Sequence, residues 1–510
     1  MSDGAAPPPR PGGGEREVVR SGLWRVAATV LPMVSALALS VVVSRVLGAE
    51  GLGLQSLLSY VQALVLNTFV LSLTQAGIQL LSAARGAGDD RALHWLRVWS
   101  LRAHVVTGVV LAAGLMGLGA LRDEPLLLWG VIAGTAFVDA LAYALTVRVV
   151  AFDGWSRVSQ RRLVSQGAGP LLGVVAVLAG LGVTGVFVGQ AVGSLYLLGA
   201  LLVLQRRVPG TKRTGPPVPL RPVARLWVGF VASLALAQVV ERRVELVFID
   251  LFGTAREVGL FAACFTLVSV AVAVMAAVTG AAMPAVARTH AAGGAERLSA
   301  VVGRALRVLL AVGVVLVAGF LALGPSLLVA LYGASFGEAA PLLRGLCLLL
   351  LPATTAGALA AYWLGTGRVG VAVRAAALAA LVDVGACLAL VPGLGAAGAV
   401  VAAVSAQVAY AAALLLASRE LPAVRDLRPG VLLRPAVAAG AAGLVAGAVA
   451  ATTPPWVAVP LGAAAFGVVL LLLAPRVGVL GRDDADWLAG VLPARTGVLA
   501  LRLARRAPGA

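Results

Sequence analysis

The sequence has few charged residues for its length, and this shortage excludes an ordinary soluble globule. Of its 510 residues, 12% are charged and 60% are apolar, and the mean hydropathy is +0.98. A soluble domain typically carries about twice this charged fraction. Apolar runs long enough to cross a bilayer recur from one end of the chain to the other. The composition therefore predicts an all-α polytopic membrane protein.

Motifs for chemistry and metal binding are also lacking. The three cysteines, Cys264, Cys347 and Cys387, lie singly within apolar runs, without the spacing of a disulfide framework or a metal site. The three histidines are scattered, and no GxxxxGK[ST] phosphate-binding loop occurs. We therefore expect a protein that is not an enzyme and that has neither a cofactor nor a bound metal.

The charge that is present is strongly one-sided. The net charge is +18, and all but one of the basic residues are arginines. These arginines are dispersed between apolar runs and form no patch interleaved with aromatic residues. That distribution favours anionic lipid headgroups as the partner and argues against nucleic acid.

Charged and Gly/Pro-rich stretches divide the chain into about fourteen predicted spans. With the N-terminus in the cytoplasm, 34 of the 40 Lys and Arg fall on the cytoplasmic side, as the positive-inside rule requires. We therefore predict a multi-pass protein of the bacterial plasma membrane with both termini in the cytoplasm. The predicted spans are 22–44, 54–82, 99–121, 125–147, 163–182, 184–204, 226–252, 258–284, 303–332, 340–365, 370–391, 395–417, 435–452 and 456–474.

Two pairs of similar segments indicate an internal repeat. Segment 46–61 is similar to 251–268, where Gly53 matches Gly259, and segment 181–192 is similar to 394–405, where Gly182 matches Gly395. These offsets of 206 and 213 residues predict two parallel six-helix halves, with a substrate path between them that opens to each side in turn. The predicted organisation is a disordered cytoplasmic tail (1–21), an N-terminal half (22–205), a basic cytoplasmic linker (206–225), a C-terminal half (226–418), two extra helices (435–474) and a cytoplasmic tail (475–510) that is either amphipathic or loose.

Five segments, three of which overlap the repeat segments, are similar in sequence and in order along the chain to the motifs of one transporter family. They are SRVLGAEGLG (44–53), RRVELVFIDLFGTAREVGLFAAC (242–264), AAMPAVAR (281–288), LYGASFGEAAPLLRGL (331–346) and VPGLGAAGAVVAAVSA (391–406). Together they resemble the Wzx-like polysaccharide flippases of the MOP superfamily over predicted spans one to twelve, although Ala49 replaces a usual Pro and Leu52 a usual aromatic residue. The resemblance implies a flippase for an oligosaccharide linked to an undecaprenyl-type pyrophosphate. It also implies the polymerase and glycosyltransferases of the same pathway as partners.

A run of charges inside predicted span seven needs a special environment. Glu241, Arg242, Arg243 and Glu245 would together cost about 10–14 kcal/mol at the bilayer centre, which is more than the apolar residues of the span return. They therefore either line a water-filled cavity or form a structural ion-pair cluster near the outer surface. In a cavity of the implied flippase, Glu would accept hydrogen bonds from sugar hydroxyls and Arg would neutralise the pyrophosphate.

Other polar residues within the predicted spans are further candidates for substrate binding. Asp139 and Asp383 lie near mid-span, where an ionisable group is either functional or a neutral contact between helices. Arg374 either meets the pyrophosphate or anchors its helix at the cytoplasmic surface. Three amides recur on roughly one face of span two and either line the cavity or contact other helices: Asn67, Gln75 and Gln79.

Two other functions fit the sequence. A cation-coupled multidrug antiporter of the related MATE branch would use a membrane carboxylate such as Asp139 or Glu245, although fourteen spans and the Arg beside Glu in span seven count against it. A membrane scaffold of a polysaccharide assembly complex would transport nothing. Loss of transport on substitution of the cavity charges would exclude the scaffold.

Overall fold

The structure is a computed structural model that describes residues 13–122, 124–206, 208, 220–241, 244–291, 295–425, 430–479, 481 and 484. Every regular element in this part of the chain is helical and no strand occurs in it, which confirms the all-α prediction. In hydrocarbon, helices are favoured because they satisfy their backbone hydrogen bonds within the segment.

The described residues contain seventeen α-helices. They are α1 (Gly13–Val65), α2 (Ser72–Gly86), α3 (Asp90–Ala120), α4 (Leu126–Ala151), α5 (Trp155–Ala176), α6 (Gly182–Gln205), α7 (Leu220–Glu241), α8 (Glu245–Phe252), α9 (Ala255–Ala291), α10 (Ala295–Tyr332), α11 (Ala340–Cys347), α12 (Leu350–Gly365), α13 (Val369–Leu394), α14 (Ala396–Ala417), α15 (Pro422–Arg425), α16 (Gly430–Thr452) and α17 (Pro455–Val477). Single π-helical turns follow α1 (Leu66–Leu71) and α5 (Val177–Leu181), and a 3₁₀-helix (Ala334–Ala339) precedes α11.

Eleven helical stretches among the described residues are long and apolar enough to cross a membrane. Two of them, Met33–Gly86 and Trp155–Gln205, have 54 and 51 residues and contain glycines with non-helical torsion angles. The predicted span 226–252 is not among the eleven; the structure describes α7 and α8 in this stretch, and Arg242 and Arg243 between them lie outside the described residues. The number of fourteen spans therefore stays a prediction.

Two glycines that match each other in the repeat share one backbone conformation. Gly182, the first residue of α6, has φ 58° and ψ −148°, and Gly395, just before α14, has φ 54° and ψ −135°. Residues other than glycine rarely adopt this region. The matched pair in the sequence is therefore matched in conformation as well, and each glycine lies at the turn that leads into the next helix.

The first compact unit comprises Met1–Ser40 and Leu73–Val223. Its principal helix pairs are α3 with α4, α4 with α6, and α5 with α6. Glycines on α5 and α6 let these two backbones approach closely, since a Cβ on Gly193 would lie 2.9 Å from the backbone oxygen of Ser165. The hydroxyl of Ser165 donates to the backbone oxygen of Gly193 at 2.7 Å.

The second compact unit comprises Val41–Ser72 and Ala224–Ala510. Its principal helix pairs are α13 with α14, α16 with α17, and α10 with α16. The predicted extra helices, 435–474, correspond to α16 and α17, which both pack on α10. One boundary between the units, after Val223, lies next to the predicted start of the C-terminal half at 226, whereas the segment Val41–Ser72 lay in the predicted N-terminal half. The domain limits themselves stay predictions.

Candidate functional site

The charged run of span seven is described only in part. Arg242 and Arg243 lie outside the described residues, and of Glu241 only the backbone is described, as the last residue of α7. Glu245 is the first residue of α8 and is 4% exposed. Helix α8 packs against α13 and α14, so Glu245 projects into the interior of the second unit.

A second carboxylate is buried in the same unit. Asp383 on α13 is 2% exposed, and the thiol of Cys387, one helical turn later, donates to its Oδ1 at 3.8 Å. The carboxylates of Glu245 and Asp383 both act electrostatically on the hydroxyl of Tyr60 and on the thiol of Cys387. Four ionisable side chains from α1, α8 and α13 therefore form one buried group, which we call the carboxylate cluster.

Tyr60 contributes a polar atom that lacks a partner. Its hydroxyl is buried and has no hydrogen bond among the described atoms. A buried hydroxyl without a partner is costly, and so are two carboxylates in one buried environment. A bound proton would lower the second cost, because it neutralises one of the two buried charges. The carboxylate cluster is therefore suited to bind a proton.

Hydrogen bonds connect α7 to the chain segment around the first π-helical turn. Asn67, within that turn, donates from Nδ2 to Oε1 of Gln238 at 3.4 Å, and Gln238 is buried. Trp227 donates from Nε1 to the hydroxyl of Ser72 at 3.0 Å. π-Turns are frequently found at functional sites, and this one presents an amide to the helix that ends in the charged run.

The remaining candidates are placed as follows. Asp139 on α4 belongs to the first unit, where it accepts a hydrogen bond from Ser194 and interacts electrostatically with Arg162. Arg374 is exposed on α13 and donates from Nε to the backbone oxygen of Gly370 at 3.2 Å. Two of the three amides are exposed on α2 in the first unit: Gln75 and Gln79.

The structure thus brings together Glu245 and Asp383 in the second unit, with Asn67 bound to Gln238 in the same unit. Among the described residues, no group of three or more His, Cys, Asp or Glu side chains has an arrangement that would hold a metal ion.

Solved membrane-transport proteins share this architecture. A structure of the lipid II flippase MurJ in an inward closed conformation superposes with a TM-score of 0.73 over 88% of this chain and 97% of that one, at 12% identity. An inward-facing multidrug resistance MATE family transporter of the MOP superfamily gives 0.60 over 79% and 99%, at 15% identity. A MATE protein in a bent conformation gives 0.55 over 81% and 97%, at 16% identity.

The chain has the fold of the MOP-superfamily transporters. No protein-family model and no curated protein sequence matches it. The sequence identities are low, so the similarity extends to the MurJ and MATE fold and not to a particular subfamily. The neighbours are transporters and flippases rather than enzymes.

The sequence analysis did not identify Tyr60 as a site residue, and it found only that Cys387 lacks the spacing of a disulfide or metal site. Tyr60 lies in an apolar run with no charged neighbour in sequence, so no local pattern marks it. Its relation to Glu245 and Asp383 arises from the packing of helices that are far apart in the chain. A lone tyrosine inside a span was the available signal, and it is a weak one because tyrosine is also common at membrane interfaces.

Proposed function

We propose that the chain is a flippase that moves an undecaprenyl-pyrophosphate-linked oligosaccharide across the bacterial cytoplasmic membrane by alternating access, for export of an envelope polysaccharide. The observation that carries this proposal is the similarity to the lipid II flippase MurJ over 88% of this chain and 97% of that one. That protein acts, by its name, on a lipid, and the sequence motifs here resemble those of flippases for lipid-linked sugars.

The C-terminal helices favour a flippase over an antiporter. The MATE structures cover 79% and 81% of this chain, whereas the MurJ structure covers 88%. The difference is similar in size to the pair α16 and α17. Extra helices packed on α10 add apolar surface, which suits a substrate with a long lipid tail more than it suits a small drug.

In this mechanism the two kinds of charge have separate roles. Arg242 and Arg243 neutralise the pyrophosphate, and Glu241 accepts hydrogen bonds from sugar hydroxyls. The carboxylate cluster binds the coupling proton, because Glu245 and Asp383 are buried together in the same unit. Binding of the proton lowers the cost of the buried charge in one conformation and so shifts the conformational equilibrium.

A deletion strain provides the direct test of flipping. The pool of lipid-linked oligosaccharide is measured in the deletion strain and after complementation with wild type, Arg242→Ala/Arg243→Ala, Glu245→Gln or Asp383→Asn. The exposed Glu420→Gln is the control. We expect glycan-lipid to accumulate and surface polymer to be lost unless wild type or the control is present. An unchanged pool in the deletion strain would exclude the flippase.

A second function, cation-coupled multidrug antiport, is favoured by the carboxylate cluster. Reconstitution of the purified chain in liposomes with an imposed pH or Na⁺ gradient distinguishes antiport from flipping. An antiporter moves a fluorescent cationic drug in the direction opposite to the flux of H⁺ or Na⁺, and Glu245→Gln abolishes this transport. A flippase instead moves a labelled lipid-linked sugar between leaflets and leaves the drug in place.

Partners and location follow from the proposed reaction. The substrate is made by glycosyltransferases on the cytoplasmic side and consumed by a polymerase on the other side, so both are expected to act with this chain. Both termini are expected in the cytoplasm because the basic loops then lie inside. Proteolysis of terminal epitope tags in inverted and right-side-out vesicles tests the orientation.

A further inference from the structure

Three arginines of the first unit converge where α2 and α4 end. Arg85 is in the last turn of α2 and Arg148 is in the last turn of α4, whereas Arg97 lies in the first third of α3. The guanidinium carbons of Arg85 and Arg97 lie 5.0 and 5.5 Å from the ring centroid of Phe152. We call these three side chains the arginine group.

Arg85 is satisfied by groups of the protein. It pairs with Asp153 at 2.8 Å and donates to the backbone oxygen of Ala151, at the end of α4, at 2.9 Å. Its role is therefore to close the end of α4, and the ion pair neutralises its charge.

The hydrogen-bond donors of Arg148 have fewer partners than those of Arg85. Its Nη2 donates to the backbone oxygen of Arg97 at 3.3 Å, while its Nε is buried without a hydrogen-bond partner among the described atoms. Arg97, which carries the same sign, acts electrostatically on it. A buried donor without a partner and a repelling pair of guanidinium groups both cost stability. An oxyanion would relieve both costs.

The position of the arginine group within α3 indicates the source of that anion. Helix α3 has 31 residues, and about 20 suffice to cross the hydrocarbon layer. Because the predicted span begins at residue 99, we expect the first turns of α3 to extend beyond that layer. Trp95 and Trp99 flank Arg97 in sequence and stack with their ring centroids 6.2 Å apart. Tryptophans are enriched at the membrane interface, at the depth of the headgroups. Basic pockets between membrane helices at this depth are suited to lipid phosphates.

We propose that Arg97 and Arg148, with Arg85 beside them, bind the phosphate of an anionic phospholipid headgroup. Arginine suits this ligand because its planar guanidinium donates two parallel hydrogen bonds to phosphate oxygens. The site lies within one unit and is independent of the proposed transport reaction. It would hold this end of the first unit at a fixed depth in the membrane.

The test uses the full chain, purified in a neutral detergent. Thermal unfolding is followed while phosphatidylglycerol, phosphatidylcholine with the same acyl chains, or inorganic phosphate is added. The proteins are wild type, Arg97→Gln/Arg148→Gln, and the control Arg157→Gln/Arg161→Gln, which removes the same charge from exposed positions on α5. We expect phosphatidylglycerol to stabilise wild type and control, with a roughly tenfold weaker apparent affinity for the double variant. Equal stabilisation of all three proteins would overturn the proposal, and so would an effect of inorganic phosphate as large as that of the lipid.

A second measurement does not depend on the folding of the arginine variant. Phosphatidylglycerol and phosphatidylcholine carrying a headgroup spin label are compared as quenchers of tryptophan fluorescence in wild type and in Trp95→Phe/Trp99→Phe. We expect the anionic lipid to quench wild type more strongly, and the excess to disappear in the double Phe variant. Equal quenching of wild type by both lipids would contradict a phosphate site at this position.

Discussion

Gly53 and Gly259, which match each other in the internal repeat, pack directly against each other. A Cβ on Gly53 would lie 2.9 Å from the backbone nitrogen of Gly259 and would also clash with the backbone oxygen of Ala255. A Cβ on Gly259 would clash with the backbone oxygen of Ala49. The two repeat segments therefore meet through backbone, at positions where only glycine leaves enough room.

The first prediction concerns this contact. Gly259→Ala is expected to destabilise the protein by about 2–3 kcal/mol, because the added methyl group meets backbone that cannot move aside. Thermal unfolding of the detergent-purified protein measures the effect. Gly385→Ala is the control, since nothing lies within 4 Å of its added Cβ and the residue is in helix α13. A Gly259→Ala protein as stable as the control would show that the two segments separate in solution.

The helical architecture and the repeat were both accessible from the sequence. Long apolar runs fix the helices because a membrane leaves the backbone few alternatives. The match of Gly182 with Gly395 predicted two similar halves, and both glycines have a positive φ with an extended ψ. Segments 46–61 and 251–268 also align Gly48 with Gly253, but these two glycines differ in conformation, since φ is 72° at the former and −119° at the latter.

The candidate site was less accessible, for two physical reasons. Helical phase was assumed to be continuous from Asn67 to Gln79, but the π-helical turn Leu66–Leu71 inserts extra backbone and shifts the phase between them. The association of Tyr60 with Glu245 and Asp383 depends on helix packing across long stretches of chain. Periodicity within one helix carries no information about such contacts.

The second prediction concerns the buried hydroxyl of Tyr60. Tyr60→Phe is expected to leave the thermal stability unchanged or to raise it by up to about 1 kcal/mol, because it removes a buried polar group that has no hydrogen bond. Ser165→Ala, which removes a buried hydroxyl that is hydrogen-bonded at 2.7 Å, should instead cost about 1 kcal/mol. An equal loss of stability in Tyr60→Phe and Ser165→Ala would contradict the conclusion that the Tyr60 hydroxyl is buried without a hydrogen bond.

The third prediction concerns the link between the first π-helical turn and α7. In a double-mutant cycle of Asn67→Ala and Gln238→Ala, the unfolding free energies are expected to show a coupling of about 0.5–1 kcal/mol, because the two amides share one hydrogen bond of 3.4 Å. Chemical or thermal unfolding of the four proteins gives the coupling. A cycle of Gln75→Ala with Gln238→Ala is the control, since Gln75 is exposed on α2. Additive effects of Asn67→Ala and Gln238→Ala would show that the bond does not form in solution.

The fourth prediction concerns Asp484, which follows α17 in the chain. Arg307 on α10 donates to its carboxylate through Nε at 3.1 Å and Nη2 at 2.6 Å, in a bidentate pair. Arg307 is 39% exposed and the Asp484 side chain 10%, so solvent screening limits the loss in Asp484→Asn to about 1 kcal/mol. Loss of this attachment should make the chain after α17 more sensitive to limited proteolysis while the membrane helices stay intact. Asp153→Asn, whose carboxylate is 83% exposed, is the control and should leave that cleavage unchanged. Cleavage at the wild-type rate in Asp484→Asn would mean that other contacts hold the segment.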